Sequence, residues 1–213
     1  ITLLCMRLAW IFCRTREDGA IPEVTVSLRG ARVKLVLPAE WLVRLLRGVS
    51  EEVGLAPGAE VTTEANPESV SPQALAELRE AGFTRISLGM QSAVPHVLSA
   101  LDRRHTPGRL ADAVGWARRA GFDDLSLDLI YGAHGESVED WRTSVEAAVA
   151  LGPEHVSAYA LIVEDGTRLA ARIRRGELAA PDDDDQADKY LLADEVLTAA
   201  GYRWYEVSNW CRG

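Results

Sequence analysis

The sequence predicts an α/β fold, in which parallel strands alternate with helices and the sheet is either open or closed as a barrel. Two observations carry this prediction. From residue 38 onward, short runs of β-branched and aliphatic residues alternate with longer segments whose apolar residues recur at helical spacing. Two of these longer segments end in AGF, at residues 81–83 and 120–122, and a third ends in AGY at residues 200–202. A glycine that closes each helix before the next strand is typical of βα units joined by right-handed crossovers.

The individual elements follow from caps and periodicity. Ser71 and Pro72 suit the N-cap and the first position of a helix that stops at Gly82, and Ser137 suits the N-cap of another. The predicted helices span residues 72–81, 107–120, 138–150 and 188–200, and a further helix begins near Pro38. The predicted strands span residues 60–64, 85–89, 125–130, 155–161 and 202–207. Residues 1–37 lack this alternation of strands and helices. The two strands predicted there are short, at residues 24–28 and 32–37.

The composition is that of a globular protein with a substantial core. Hydrophobic residues make up 47% of the 213 residues, and charged residues make up 26%. The formal net charge of -9 argues against a nucleic-acid partner, because phosphate binding needs an excess of lysine and arginine. The three cysteines, Cys5, Cys13 and Cys211, do not form a disulfide framework, so we expect a reducing, cytoplasmic setting.

Polar residues interrupt or follow four of the predicted strands. Glu64 ends the first strand and Gln91 follows the second, whereas Asp128 and Tyr159 lie within the next two. Ligands of parallel α/β sheets bind at the carboxyl ends of the strands, so these positions are the first candidates for a site. A buried carboxylate such as Asp128 is costly unless it is paired. Two interpretations stay open: a structural ion pair between Asp128 and Arg103, or a polar ligand that meets Glu64, Gln91, Arg103 and Asp128.

No metal site is expected from the other polar residues. The histidines have no metal-ligand spacing, and we expect each to lie at the surface or one layer behind a site: His96, His105, His134 and His155. The aspartates at residues 182–185 are consecutive, which does not match the alternate spacing of a calcium loop. We predict that they form a solvated loop leading into a helix N-terminus, where negative charge is favoured.

Seven segments in order give the sequence a family resemblance. They are EANPES at 64–69, RISLGMQS at 85–92, LDRRH at 101–105, LSLDLIYG at 125–132, GES at 135–137, HVSAYALIVEDGT at 155–167 and YEVSNW at 205–210. In this order and spacing they resemble radical S-adenosylmethionine (SAM) proteins of the HemW type, relatives of oxygen-independent coproporphyrinogen III oxidase. The resemblance implies a partial (β/α)6 barrel, incomplete here on its N-terminal side, that binds SAM. In intact members the barrel also holds a [4Fe–4S] cluster.

The resemblance assigns a set of residues to the SAM site: Glu64, Gln91, Arg103, Asp128, Tyr159 and Ile162. Glu64 matches the glutamate that faces the ribose hydroxyls. Tyr159 and Ile162 match positions near the adenine. These roles agree with elementary chemistry, because carboxylates suit hydroxyl or ammonium donors and an arginine suits a carboxylate.

The cluster motif itself departs from the family pattern. In the family a C-x3-C-x2-C loop holds the iron, and Cys13 matches its first cysteine, but the next two positions hold Glu17 and Ala20. A glycine-rich family segment is replaced by GARVK at residues 30–34. We therefore predict a divergent segment over residues 1–37, a barrel core over residues 38–213 and no C-terminal family domain. Our hypothesis for this pattern is a frameshift, a deletion or an error in the gene model.

Three functions agree with these patterns. The first is a HemW-type haem chaperone of porphyrin metabolism, which binds SAM and haem or porphyrin and passes haem to client proteins. The second is a noncatalytic remnant without a cluster. The third is a coproporphyrinogen III oxidase, which decarboxylates coproporphyrinogen propionates; it is disfavoured because residues 159–167 and 205–210 are of the HemW type. Enzymatic activity is left open, because two cluster cysteines are missing.

Overall fold

The computed structural model describes residues 25–29, 32–36, 38–103, 106 and 108–212. Its strands are β1 (Thr25–Arg29), β2 (Arg32–Val36), β3 (Thr62–Ala65), β4 (Arg85–Gln91), β5 (Asp124–Tyr131), β6 (His155–Ala160), β7 (Arg203–Glu206) and β8 (Asn209–Cys211). Its helices are α1 (Ala39–Val53), α2 (Pro72–Ala81), α3 (Pro95–Ala100), α4 (Arg109–Arg119), α5 (Val138–Ala150), α6 (Arg168–Arg174) and α7 (Asp183–Ala199). The predicted alternation of strands and helices is confirmed. The helix predicted near Pro38 is α1.

Six strands form the main sheet, in the order β3-β4-β5-β6-β8-β7. The first four are parallel neighbours, each joined to the next through helix. The predicted last strand is present as β7, but it does not pair with β6. The chain reverses at Val207 and Ser208, and β8 runs back between β6 and β7, antiparallel to both. The main sheet is thus a parallel array with an antiparallel hairpin at one edge.

The two strands predicted in the N-terminal segment form a separate antiparallel hairpin. β1 pairs with β2 in a regular register, in which Ser27 lies opposite Lys34. Cys5 and Cys13, the latter the predicted cluster cysteine, lie outside the described residues.

The predicted helix caps are confirmed. The Ser71 side chain accepts a hydrogen bond from the backbone N–H of Ala74, and Gly82 ends α2 in the left-handed conformation with φ of 109°. Ser137 forms a capping box with Asp140, in which each side chain bonds to the backbone of the other residue. Such a cap contributes about 1 kcal/mol of stability. Local sequence thus sets these boundaries without help from the rest of the fold.

Helix α7 differs from the prediction at its N-terminus. It begins at Asp183 rather than at residue 188, and the Asp182 side chain caps it by accepting from the N–H of Asp185. The aspartates predicted to form a solvated loop are therefore the cap and first turn of the helix, where the helix dipole favours their negative charge. The negative charge lies at the helix N-terminus as predicted, but the predicted start of the helix is wrong. The short helices α3 and α6 and strand β8 were not predicted.

The two faces of the parallel strands differ in polarity. On one face, Ile86, Leu88, Leu125 and Leu127 are fully buried in a core that the helices cover. Parallel sheets are normally apolar on both faces. Here the side chains that alternate with the core residues are polar, and that second face holds the candidate site. No helix in the described part of the chain is long and apolar enough to cross a membrane.

Candidate functional site

The polar face of the sheet forms a cavity of about 450 Å³. Its walls are built from every second residue of the parallel strands, because side chains alternate between the faces of a sheet. The parallel strands contribute Thr62, Glu64, Arg85, Ser87, Ser126, Asp128, His155, Ser157 and Tyr159, and the remaining lining residues are Glu60, Tyr205 and Asn209. The site is therefore a property of the sheet, into which four strands project polar groups at the same spacing.

Asp128 lies in the middle of this face, on β5. Its Oδ2 accepts a hydrogen bond of 2.8 Å from the hydroxyl of Ser87 on β4, and Ser157 on β6 is its neighbour in register. Burial raises the pKa of the Asp128 carboxyl; the Ser87 and Ser157 hydroxyls oppose that rise, and the negative charge of Glu64 adds to it. The predicted alternative of a structural pair with Arg103 is wrong, because Asp128 is held by neighbouring serines.

Glu64 lies on the same face, on β3. It is exposed, and in register it lies beside Ser87, the residue that bonds to Asp128. The two carboxylates thus stand on either side of β4 and face one cavity. Two acceptors in that arrangement suit a ligand that carries several hydroxyl or amino donors.

Gln91 ends β4 in a conformation that few residues adopt. Its φ is 64°, and the pairing of β4 with β5 shifts by one residue between Gly89 and Gln91. The Gln91 side chain folds back over Gly89 so closely that a Cβ there would lie 2.7 Å from its Nε2. The glycine therefore makes room for the glutamine at the carboxyl end of the strand. Gln91 itself is half-buried beside the cavity rather than in its lining.

The other predicted site residues lie at the same end of the sheet with different exposure. Tyr159 ends the polar face on β6 and is 45% exposed, and Ile162, just beyond that strand, is 77% exposed. Arg103 follows α3, is exposed and does not line the cavity. The structure therefore brings Glu64, Asp128 and Tyr159 together around the cavity, but not Arg103.

Three hydrogen-bonded side chains that were not predicted as site residues, Ser126, His155 and Tyr205, lie on the polar face towards the amino ends of the strands from Asp128. His155 Nδ1 lies 2.9 Å from the Ser126 hydroxyl, and its Nε2 lies 2.8 Å from the Tyr205 hydroxyl. His155 is 5% exposed, and burial is the main cause that lowers the pKa of its imidazole to about 4. The expectation that this histidine lies at the surface or one layer behind a site is wrong, because it is buried and lines the cavity itself. As the first residue of β6, it points into the polar face.

The amino-terminal end of the face is closed by ion pairs. Arg85 Nη1 lies 3.4 Å from Glu60 Oε1, and its Nε lies 3.6 Å from Asp124 Oδ1. A signal for this whole face was present in the sequence. Polar residues recur at every second position of four strands, as in residues 60–64, 85–87, 124–128 and 155–159. That alternation is unusual for parallel strands, and it marks the face as a site.

The residues present fit SAM better than they fit a [4Fe–4S] cluster. Carboxylates and exposed apolar side chains at one end of a polar cavity match hydroxyls, an amino group and a purine. A cluster needs several cysteine thiolates, whereas Cys211, half-buried on β8, is the free cysteine within the described residues. Nor does that part of the chain hold a group of three His, Cys, Asp or Glu residues suited to a metal ion. The sequence has no C-x3-C-x2-C loop.

Sequence comparison defines the class of protein to which this fold and site belong. Residues 29–148 match the model of the radical SAM superfamily, so the chain belongs to that superfamily. It is 56% identical over 210 residues to the heme chaperone HemW of Mycobacterium tuberculosis (strain ATCC 25618 / H37Rv), which covers 99% of this chain and 53% of that protein. It is 38% identical over 193 residues to HemW of Lactococcus lactis, covering 91% of this chain and 51% of that protein. The resemblance to HemW proteins is confirmed, and the chain spans about half the length of these relatives.

Structural comparison agrees at the level of the fold. The coproporphyrinogen III oxidase HemN of Escherichia coli, a radical SAM enzyme, superposes with a TM-score of 0.72 over 83% of this chain and 40% of that one. The sequence identity is 23%, so this similarity shows that the two proteins share a fold and does not show that they share a reaction. The prediction of a partial barrel of the radical SAM type is confirmed.

Proposed function

We propose that this chain is the SAM-binding barrel of a HemW-type protein whose overall task is haem handling. One observation carries the SAM half of the proposal: Glu64 and Asp128 face the same cavity from β3 and β5, with Tyr159 at its carboxyl end. Motifs of the radical SAM type place their ligand contacts at these positions. The haem half rests on the names of the M. tuberculosis and L. lactis relatives.

Each residue has a role that follows from its chemistry. Glu64 accepts hydrogen bonds from the ribose hydroxyls, and Asp128 offers the second anionic acceptor to the ligand's donors. Tyr159 and Ile162 flank the adenine, which covers their exposed apolar surface. Gln91 borders the ligand at the end of β4. Arg103 is proposed to meet the ligand's carboxylate, which requires its exposed side chain to swing towards the cavity.

The proposed role of this chain is binding of SAM rather than radical chemistry. Glu64, Asp128 and Tyr159 would hold SAM, which would supply a sulfonium group, and a [4Fe–4S] cluster would supply the electron that radical chemistry on this group needs. Cys13 is proposed as the remnant of the cluster loop, and its two partner positions hold Glu17 and Ala20. We propose that the whole protein is cytoplasmic, binds haem or porphyrin, and delivers haem to client proteins.

Calorimetry with SAM tests the binding proposal. We expect saturable binding by the purified chain and a loss of roughly tenfold or more in Glu64→Gln or Asp128→Asn, because each replaces a charged acceptor by a neutral one. Glu77→Gln, on the outer surface of α2, is the matched control and leaves the affinity unchanged. Absence of binding by the unmodified chain, or equal affinity in all variants, contradicts the proposal.

A second candidate, a folded barrel that binds neither cluster nor SAM, is favoured by the missing cysteines. Anaerobic reconstitution with iron and sulfide, combined with the SAM titration, separates the alternatives. A cysteine-held cluster gives bound iron and a broad absorption near roughly 400 nm. We expect neither in this chain. Absence of both together with measurable SAM binding supports the proposed function, and absence of both without SAM binding supports the second candidate.

A further inference from the structure

The N-terminal turns of α7 hold two loops that begin at the carboxyl end of the sheet. We name residues 132–137, after β5, the β5 loop, and residues 161–167, after β6, the β6 loop. Gln186 on α7 donates a 3.0 Å hydrogen bond from Nε2 to the carbonyl oxygen of Leu161, the first residue of the β6 loop. The N–H of Leu161 in turn donates to the carbonyl of Tyr131 at 2.8 Å. The β6 loop is therefore fixed both to α7 and to the end of β5.

The same glutamine lies against the first residue of the β5 loop. Gly132 has a φ of +82°, and a Cβ placed there would lie 2.6 Å from Gln186 Nε2 and 2.9 Å from its Cγ. The glycine is required both by this contact and by its backbone conformation. One side chain thus touches the start of both loops, bonding to one and packing on the other.

One turn further along α7, Lys189 holds the far end of the β5 loop. Its ammonium donates to the carbonyl of Glu136 at 2.8 Å and to Asp185 Oδ2 at 2.6 Å, and its side chain is fully buried. The Glu136 carboxylate accepts from the N–H of Gly132 at 2.7 Å, which closes the loop on itself. The β5 loop therefore has two anchors on α7, so the helix sets its position as a unit.

The two loops continue from β5 and β6, which line the cavity, whereas no residue of the loops or of α7 lines it. Asp128 lies on β5, the strand that leads into Gly132, and Ile162 directly follows Leu161. Gln186 and Lys189 are not lining residues. Gln186 contacts the starts of both loops, so we expect it to act on a ligand through their backbone.

We propose that Gln186 is a positioning residue, which sets the place of the β5 and β6 loops and thereby the affinity for the adenosine end of SAM. The proposal rests on the proposed function for its ligand, but its structural half concerns the loops alone. Without the Gln186 donor, the Leu161 carbonyl loses its partner on α7 and Ile162 is no longer held where the adenine meets it.

The test uses a substitution that removes the donor and keeps the shape. Gln186→Glu cannot donate to Leu161, and a carboxylate near a helix N-terminus does not weaken the helix. Gln73→Glu, the same change near the N-terminus of α2, is the matched control. Affinity is measured for SAM and for 5′-methylthioadenosine, which keeps the adenosine and lacks the amino acid. Hydrogen exchange of the β5 and β6 loops is measured on the ligand-free proteins.

We expect Gln186→Glu to weaken both ligands by roughly three- to tenfold, the effect of one lost hydrogen bond, and to speed exchange in both loops. Gln73→Glu changes neither. If the unmodified chain binds and Gln186→Glu binds equally well, the inference is overturned while the proposed function stands. If the unmodified chain binds neither ligand, the proposed function fails and exchange decides the positioning role. Unchanged exchange in the two loops then overturns it, and faster exchange in both supports it.

Discussion

Lys189 and Glu136 form a fully buried ion pair that joins α7 to the β5 loop. The ammonium lies 3.4 Å from Glu136 Oε2, and both side chains are inaccessible to solvent. Burial is the largest influence on Glu136 and raises the pKa of its carboxyl, against the opposing effects of the Gly132 N–H and the Lys189 charge. A buried pair of this kind stabilises little by its presence, but removal of one partner leaves an uncompensated charge.

We therefore expect Lys189→Met to lower the free energy of unfolding by about 3–5 kcal/mol. The double substitution Lys189→Met with Glu136→Gln restores part of the loss, because it removes the fully buried carboxylate as well and leaves only the partly exposed Asp185 without its partner. Urea denaturation of the two variants measures this coupling. Arg175→Met, which breaks an exposed pair with Glu177, is the control and leaves the stability nearly unchanged. Equal losses in the single and double variants would contradict the role assigned to the pair.

A comparison of substitutions at Gly132 and Gly135 separates two costs to stability, that of steric crowding and that of backbone strain. Both have positive φ, of 82° and 78°, but a Cβ meets Gln186 at Gly132 and nothing within 4 Å at Gly135. We expect Gly135→Ala to cost about 1 kcal/mol from strain alone, and Gly132→Ala to cost roughly 2–3 kcal/mol. The excess arises because Gln186 moves aside only by breaking its bond to Leu161. Thermal unfolding compares the two, and adding Gln186→Ala to Gly132→Ala recovers part of the loss.

The Asp128 carboxylate has opposite effects on stability and on the proposed binding. Its pKa is raised in the folded chain, so the folded state holds the proton more tightly than the unfolded state, and stability falls as pH rises from about 3.8 through the raised pKa. Asp128→Asn lacks this fall. We expect the variant to gain stability relative to the unmodified chain between pH 4 and pH 7, while its SAM affinity is lower. A variant that loses stability relative to the unmodified chain over this interval would refute the assignment.

His155 affects the pH dependence of stability in the opposite direction to Asp128, because it makes the folded chain less stable at acid pH. Its pKa is lowered from 6.5 to about 4 in the folded chain, so the unfolded state binds the proton first, and stability falls as pH drops from 6.5 towards 4. We expect His155→Gln to lose less stability than the unmodified chain over that interval. Urea midpoints at several pH values measure the difference. Parallel curves for the two proteins would show that His155 does not contribute to acid sensitivity.

The caps of α2 and α5 show which helix boundaries can be predicted from local sequence alone. Ser71 and Ser137 bond to backbone groups three residues away, so the boundaries they set are readable from a few neighbouring letters. The start of α7 is the exception, because a run of aspartates suits a loop and a first helical turn equally well.

The sequence predicted some of the candidate site residues correctly, but not all of them. Glu64, Gln91, Asp128, Tyr159 and Ile162 were predicted because strand order and family motifs place them at the carboxyl end of the sheet. The roles assigned to them remain predictions, as does that of Cys13, which lies outside the described residues. The structure did not bring Arg103 to the cavity, since the turn after α3 leaves its side chain exposed.

The sequence by itself determined the alternation of strands and helices, the glycine ends of the helices, the polar strand positions and the superfamily. These depend on periodicity and on bonds between near neighbours, which a linear string of residues contains. Only the tertiary structure decided that β8 enters between β6 and β7, that Tyr205 meets His155, and that Gln186 holds Leu161. Such contacts join residues far apart in the chain. Their geometry depends on how the helices pack on the sheet, which no local propensity specifies.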